Sequence, residues 1–252
     1  MTLLKTRNLT KDFGGLTAVE EVDIDVQQEE LISVIGPNGA GKSTLINLIT
    51  GMLAPTDGDI VYDGTSITGL DPHEITQLGV GRSFQTASIF PELSVRDNVD
   101  IASFASRHGE FSVNFFRRQE RYDGVSQRTM DALEAVDLVE EVDTVANSLP
   151  YGDKRRLEVA IGLATDPDLI FMDEPTAGMS PAETNMTTDL IEDMRTDWGI
   201  TVVLVEHDMD IVFEVSDRIF VMNRGSLIAS GSPDDIRGNP DVQAAYLGGD
   251  VA

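Results

Sequence analysis

Residues 36–44 read Gly36-Pro37-Asn38-Gly39-Ala40-Gly41-Lys42-Ser43-Thr44, a Gly-x-x-x-x-Gly-Lys-Ser pattern. Glycines spaced in this way let successive backbone N–H groups turn inward around an anion. A lysine can then reach the β- and γ-phosphates, and a serine hydroxyl can ligate Mg²⁺. A second group of chemical residues lies far along the chain, where the apolar run Asp168-Leu169-Ile170-Phe171-Met172 ends in Asp173-Glu174. Asp173 is suited to holding Mg²⁺ through water, and Glu174 to accepting a proton from water attacking the γ-phosphate. His207 follows a third apolar run by two residues and is suited to contacting a γ-phosphate and orienting Glu174. Gln85 carries an amide oxygen that can ligate Mg²⁺, and Phe13 carries a face on which an adenine can stack. His73 and His108 have no comparable setting. The expected ligand is therefore a nucleoside triphosphate with Mg²⁺.

These groups need elements that hold them. The phosphate pattern follows Leu31-Ile32-Ser33-Val34-Ile35, a short apolar run typical of a buried strand, and opens a helical stretch from Lys42 to Thr50. Strand, glycine turn and helix start are the context in which the pattern cradles phosphate, aided by the helix dipole. Further buried strands are expected at Leu169–Met172, Thr201–Val205 and Ile219–Met222, and helices at Asp153–Ala164, Ala182–Asp197 and Met209–Val215. Strands alternating with helices imply an α/β core with a mostly parallel sheet. Residues 1–30 and 58–63 alternate as Val22, Ile24 and Val26 do, which predicts a small antiparallel β subdomain. Met1–Arg7 reads as its first strand.

The middle of the chain is different. From about Leu93 to Val145 the pattern is helical, with a stripe of Leu133, Val136, Leu138, Val139 and Val142. Phe104, Phe111, Phe115 and Phe116 cluster near Arg117, Arg118 and Arg121, as helix packing would place them. The expected organisation is a nucleotide-binding core from residues 1–92 and 151–252, interrupted by a helical subdomain at 93–150.

Charge and composition narrow the partners. The 252 residues carry 44 acidic and 18 basic side chains, a net charge of −26. No nucleic-acid partner is expected, because phosphate backbones require a basic face. The same charge argues against the chain binding an anionic membrane surface by itself. Only four residues are lysine, and one of these is Lys42. So acidic a chain repels itself at low ionic strength, which points to a salt-rich, halophilic cytoplasm, the alternative being an ordinary solvated acidic surface. Cysteine is absent, which removes disulfides and thiol chemistry. No apolar stretch approaches the roughly 20 residues of a membrane span, and the N-terminal residues lack the apolar core of a signal peptide.

The order of these motifs resembles the ATP-binding cassette ATPases across the whole chain. That resemblance implies a P-loop NTPase core and makes Phe13 an adenine platform, 36–44 the phosphate loop and Gln85 the glutamine loop. It makes 177–180 the D-loop and His207 the switch. It also identifies Leu149-Pro150-Tyr151-Gly152-Asp153 as the signature motif, so that Tyr151, Gly152 and Asp153 reach ATP held by a second subunit. Two departures stand out: Pro150 replaces a serine, and Ser180 stands where the D-loop has aspartate. Three cations, Lys154, Arg155 and Arg156, follow in a first helical turn that disfavours positive charge; they suit that place if they face phosphate or an acidic neighbour.

Phe13-Gly14-Gly15-Leu16-Thr17-Ala18-Val19, Arg155-Arg156-Leu157-Glu158 and Ala245-Tyr246-Leu247-Gly248 resemble the branched-chain amino acid importer ATPases. The resemblance implies transmembrane permease subunits, a second ATPase subunit (a copy or a paralogue), and indirectly a solute-binding protein. Location would be cytoplasmic, at the membrane through the permease. Lipopolysaccharide-export ATPases share several of the signals, and a non-transport cassette ATPase or a nucleotide-binding regulatory half is a further alternative. A P-loop kinase would leave Gln85, Gly152 and His207 without a role.

Overall fold

The computed structural model describes residues 1–83, 89–107 and 118–247. The chain opens with β1 (Thr2–Phe13), β2 (Leu16–Val22), β3 (Asp25–Gln27) and β4 (Leu31–Ile35), then α1 (Lys42–Ile49), β5 (Asp57–Tyr62) and β6 (Thr65–Ser66). It continues through α2 (Pro72–Gln77), β7 (Val80–Ser83), α3 (Val95–Arg107), α4 (Arg118–Ala135), α5 (Tyr151–Leu163) and β8 (Leu169–Asp173). The last part comprises α6 (Pro181–Thr196), β9 (Thr201–Val205), α7 (Met209–Val215), β10 (Arg218–Asn223), β11 (Ser226–Gly231), α8 (Pro233–Arg237) and α9 (Pro240–Leu247).

Two sheets result. The larger has the order β11-β10-β4-β9-β8-β7, parallel from β10 to β7, with β11 antiparallel at the edge. The smaller has the order β2-β1-β5-β6, with β3 also on β1, and is antiparallel. The expected α/β core and separate antiparallel sheet are both present.

The central strands are buried on both faces, and their side chains divide by a period of two, as a sheet covered on both sides requires. Ile32, Val34, Phe171, Val203 and Val205 join Leu45, Ile46 and Ile49 of α1 and the antiparallel sheet in one core. Ile170, Met172, Val202 and Leu204 face the other way. There they meet Val95 and Val99 of α3, Leu133 of α4, Leu157 and Ala160 of α5 and Ile191 of α6. The helical middle of the chain is therefore packed directly on the second face.

The structure differs from the expectations in four places. The first strand runs on to Phe13: Asn8 takes a positive φ of 46° and register shifts follow it, so the strand bends from β5 toward β2 instead of ending at Arg7. The stripe from Leu133 to Val142 is not one helix. α4 stops at Ala135, Asp137 adopts a φ of 56°, and Val139–Glu141 form a 3₁₀ turn. α5 begins at Tyr151, two residues early, with Pro150 at its N-cap. Phe104 is 48% exposed; Phe111, Phe115, Phe116 and Arg117 lie outside the described residues. Strand β11 has no counterpart in the expectations; it returns from β10 through a turn with Arg224 at φ 48° and Gly225 at 89°, the two positive angles of a type I′ hairpin.

Candidate nucleotide site

The loop after β4 is squeezed between β2 and the β10–β11 turn. A Cβ on Gly36 would sit 2.1 Å from the Met222 carbonyl oxygen, and one on Gly41 would sit 2.4 Å from that of Ala18. Backbone bonds from Gly225 N–H to the Ala40 carbonyl (2.9 Å) and from Glu20 N–H to the Gly225 carbonyl (2.9 Å) hold the three segments together. Only glycine fits where the backbones come this close. Gly41 is the N-cap of α1, and its side-chain-free position leaves the first amides of the helix without a side-chain partner. Such amides, at the positive end of a helix dipole, form an anion site.

Lys42 is buried, and its Nζ donates to the carbonyls of Gly36 (2.7 Å) and Pro37 (3.2 Å). Its ammonium is held in the mouth of the loop. Burial lowers its pKa from the ordinary 10.5, while the carboxylates of Glu174 and Asp173 push it back up. β8 lies two strands from β4 in the same parallel sheet and brings those carboxylates to the carboxyl edge, where ligands of such sheets bind. Asp173 has its pKa raised by burial, opposed chiefly by the Arg82 guanidinium 3.6 Å away. Glu174 takes a left-handed φ of 49°, its N–H donates to the Val205 carbonyl at 2.8 Å, and its Oε1 lies 2.7 Å from His207 Nε2.

Together these groups enclose a cavity of about 520 Å³ lined by Asn38 to Thr44, Asp173, Glu174 and His207. Ser43 is exposed at its floor. Lys42, Ser43, Asp173, Glu174 and His207, scattered over 165 positions of sequence (207 − 42), thus meet in one cleft.

Other expected residues stand elsewhere. Gln85 lies outside the described residues. Phe13, 46% exposed with Lys11 Nζ 5.2 Å from its ring centroid, is on the hairpin beside the cleft, whose wall is formed there by Leu16 and Thr17. Tyr151, Gly152 and Asp153 begin α5, and Gly152 and Asp153 line a second cavity of about 280 Å³ between α5 and α6 rather than the cleft of the phosphate loop. The cations there have found neighbours: Arg155 pairs with Glu158 at 2.7 Å, Arg156 with Asp153 at 3.6 Å, and Lys154 donates to the Asn147 carbonyl at 2.8 Å. Ser180 is the N-cap of α6, its hydroxyl and Glu183 forming a capping box.

Sequence reasoning missed Arg82, which three helices (α3, α4 and α5) separate from Asp173 in the chain but which lies on the adjacent strand of the sheet. It also missed Glu206, whose only sequence signal is its place beside His207, and Tyr246. The Tyr246 phenol, with its pKa raised by burial, sits against the Gly36 amide, which opposes that rise.

A phosphate cradle at a strand–helix turn, with two acidic groups and a histidine at the neighbouring strand ends, defines a P-loop nucleotide-hydrolysing cassette. Residues 19–177 match the family model described as "ABC transporter", and residues 226–252 match that described as "Branched-chain amino acid ATP-binding cassette transporter". The chain is 42% identical to the high-affinity branched-chain amino acid transport ATP-binding protein BraF of Pseudomonas aeruginosa, covering 98% of both chains. A nucleotide-free crystal structure of an ATP-binding cassette from an ABC transporter superposes with a TM-score of 0.85 at 32% identity, covering 98% of this chain and 99% of that one. A dimeric cassette bound to ADP and phosphate superposes at 0.77 with 26% identity, over 92% and 99%. The chain belongs to the ATP-binding cassette transporter family, and its activity is ATP hydrolysis coupled to transport.

Proposed function

We propose that this chain is the ATP-hydrolysing subunit of an importer for branched-chain or related amino acids. The observation that carries this reading is the single cleft in which the phosphate loop, Asp173, Glu174 and His207 converge. The match of 226–252 to the branched-chain family and the name of the P. aeruginosa relative support the cargo class.

In that role the phosphate loop 36–44 binds the triphosphate through its amides, and Lys42 leaves the Gly36 and Pro37 carbonyls to meet the β- and γ-phosphates. Glu174, fixed 2.7 Å from His207, takes the proton of the attacking water, while His207 orients it and senses the γ-phosphate. Among the described residues no group of three acidic or histidine side chains forms a metal cage. Mg²⁺, which keeps water and phosphate oxygens as ligands, suits such a site, with Ser43, Asp173 and Gln85 as the protein's contribution. Bound there, it neutralises charge on the phosphates.

Tyr151, Gly152 and Asp153 would complete the cleft of a second ATPase subunit; the dimeric cassette structure supports that pairing. Phe13 would offer its exposed ring to adenine. Among the described residues no helix is long and apolar enough to cross a membrane. Permease subunits would therefore carry the solute, and attachment to them would place the chain at the cytoplasmic face of the membrane, served by a solute-binding protein outside. The segment 93–150 would relay closure through α5 to the core of 1–92 and 151–252. The net charge of −26 supports work in a salt-rich cytoplasm.

The test is to purify the membrane complex at molar KCl and measure which solute stimulates ATP hydrolysis. Stimulation by leucine, isoleucine or valine is expected. Stimulation by lipopolysaccharide alone would favour an exporter and overturn the cargo assignment.

A further inference from the structure

Glu206 stands between Val205, the last residue of β9, and His207, and only 4% of its surface is exposed. A carboxylate so deep in a sheet is costly unless donors surround it. Three do. Its Oε1 accepts from the Thr176 N–H (3.1 Å) and the Thr176 hydroxyl (2.5 Å), and its Oε2 accepts from the His207 N–H (3.0 Å).

The donors belong to the segments that carry the two reacting side chains. Thr176 lies two residues beyond Glu174, and His207 Nε2 touches Glu174 Oε1 at 2.7 Å. Glu174 has a left-handed φ of 49°, a conformation that a residue with a side chain keeps only when its surroundings impose it. On the upstream side, its own N–H is fixed to the Val205 carbonyl at 2.8 Å. On the downstream side Glu206 holds both the amide and the hydroxyl of Thr176. The ends of β8 and β9 are thus joined by three rungs: Glu174 N–H to Val205, Thr176 to Glu206, and Glu174 to His207.

We infer that Glu206 is a positioning residue for hydrolysis: its carboxylate ties the segment after Glu174 to the backbone of His207 and so sets the angle at which these two side chains meet the γ-phosphate. The inference rests on the function proposed above.

Glutamine cannot replace Glu206. It offers one acceptor oxygen and an NH₂, so either Thr176 or the His207 N–H would face a donor. Misplacing a reacting group by about an ångström can cost on the order of a hundredfold in rate. In the membrane complex at molar KCl, Glu206→Gln is expected to lower kcat for ATP by about tenfold or more, with KM within about threefold of wild type. Thr176→Val, which removes one hydroxyl and keeps the shape, should lower kcat in the same way. Thr176→Ser, which retains the hydroxyl, should recover most of it.

Wild-type kcat in Glu206→Gln or in Thr176→Val would overturn the inference. So would Thr176→Ser falling with Thr176→Val, or KM rising in step with the loss of kcat, since either indicates packing alone. If Glu206→Gln fails to fold, the Thr176 pair decides. A wild-type complex without ATP turnover would instead overturn the functional reading, and this role with it.

Discussion

Replacing Gly41 by alanine separates the demands of space from those of backbone angle in the phosphate loop. Gly41 has φ 104° and ψ 0°, and an added Cβ would lie 2.4 Å from the Ala18 carbonyl oxygen and 3.3 Å from Met222 Cε. Gly39 has a φ of 78°, but its added Cβ would meet nothing within 4 Å. Gly39→Ala therefore incurs only the left-handed penalty of an L-residue, about 1–2 kcal/mol. Gly41→Ala incurs a similar penalty and a clash with a backbone carbonyl that belongs to β2. That carbonyl cannot rotate away, because β2 is tied through Glu20 to Gly225 and Gly225 to Ala40. Overpacking of this kind costs about 1–3 kcal/mol more. The free energy is lost in one of two places: the fold weakens, or the loop shifts and phosphate binding weakens. Urea unfolding and Mg·ATP calorimetry at molar KCl measure both. Their summed loss should be larger for Gly41→Ala than for Gly39→Ala by about 1–3 kcal/mol. Equal losses in the two variants would refute the claim that the loop is wedged against β2.

Three further outcomes are expected. Glu174→Gln should retain ATP affinity but lose about 10²–10⁴-fold in steady-state turnover, the usual share of a general base; unchanged turnover would remove that role. Ser180→Ala should lower the thermal midpoint by about 2–4 °C, since it deletes an N-cap worth about 1 kcal/mol. The Ser180 hydroxyl and amide hold the Glu183 carboxyl below its ordinary 4.5. That carboxyl's contribution is therefore present above pH 4.5 and fades as pH falls through the lowered value, so the gap between Ser180→Ala and wild type should narrow in acid. A gap that widens in acid would contradict this. Finally, the unfolding midpoint should rise between about 0.1 and 1 M KCl, as the screening length shrinks from about 10 to 3 Å; a flat or falling midpoint would contradict a fold limited by self-repulsion.

The parts of the site that sequence made legible are those whose information is local. A buried strand, a glycine turn and a helix start occur together in 31–49, and Asp173-Glu174 and His207 each follow an apolar run that forms a central strand. Less legible were contacts set by the order of strands. Arg82 meets Asp173 because β7 lies beside β8, and Glu206 meets Thr176 because β9 does. No periodicity in the chain encodes either neighbour. Boundaries failed where one residue changes the backbone: Asn8 bends β1 onward and Asp137 ends the stripe that began in α4, both with positive φ. Strand β11 was missed although its turn, Asn223-Arg224-Gly225-Ser226, is a hairpin signal, because its half-buried residues do not alternate. The expectation that the signature cations face an acidic neighbour holds for Arg155 and Arg156, which pair with Glu158 and Asp153 one turn away.

Titrating Mg·ATP into the folded chain at molar KCl, alongside Lys42→Ala, tests the central claim most directly. One saturable site per protomer is expected for the wild type, with affinity reduced about tenfold or more in the variant, a difference of at least about 1.4 kcal/mol. No heat of binding from the folded wild-type chain, or equal affinity in the two proteins, would contradict the assignment of the 36–44 loop as the phosphate cradle.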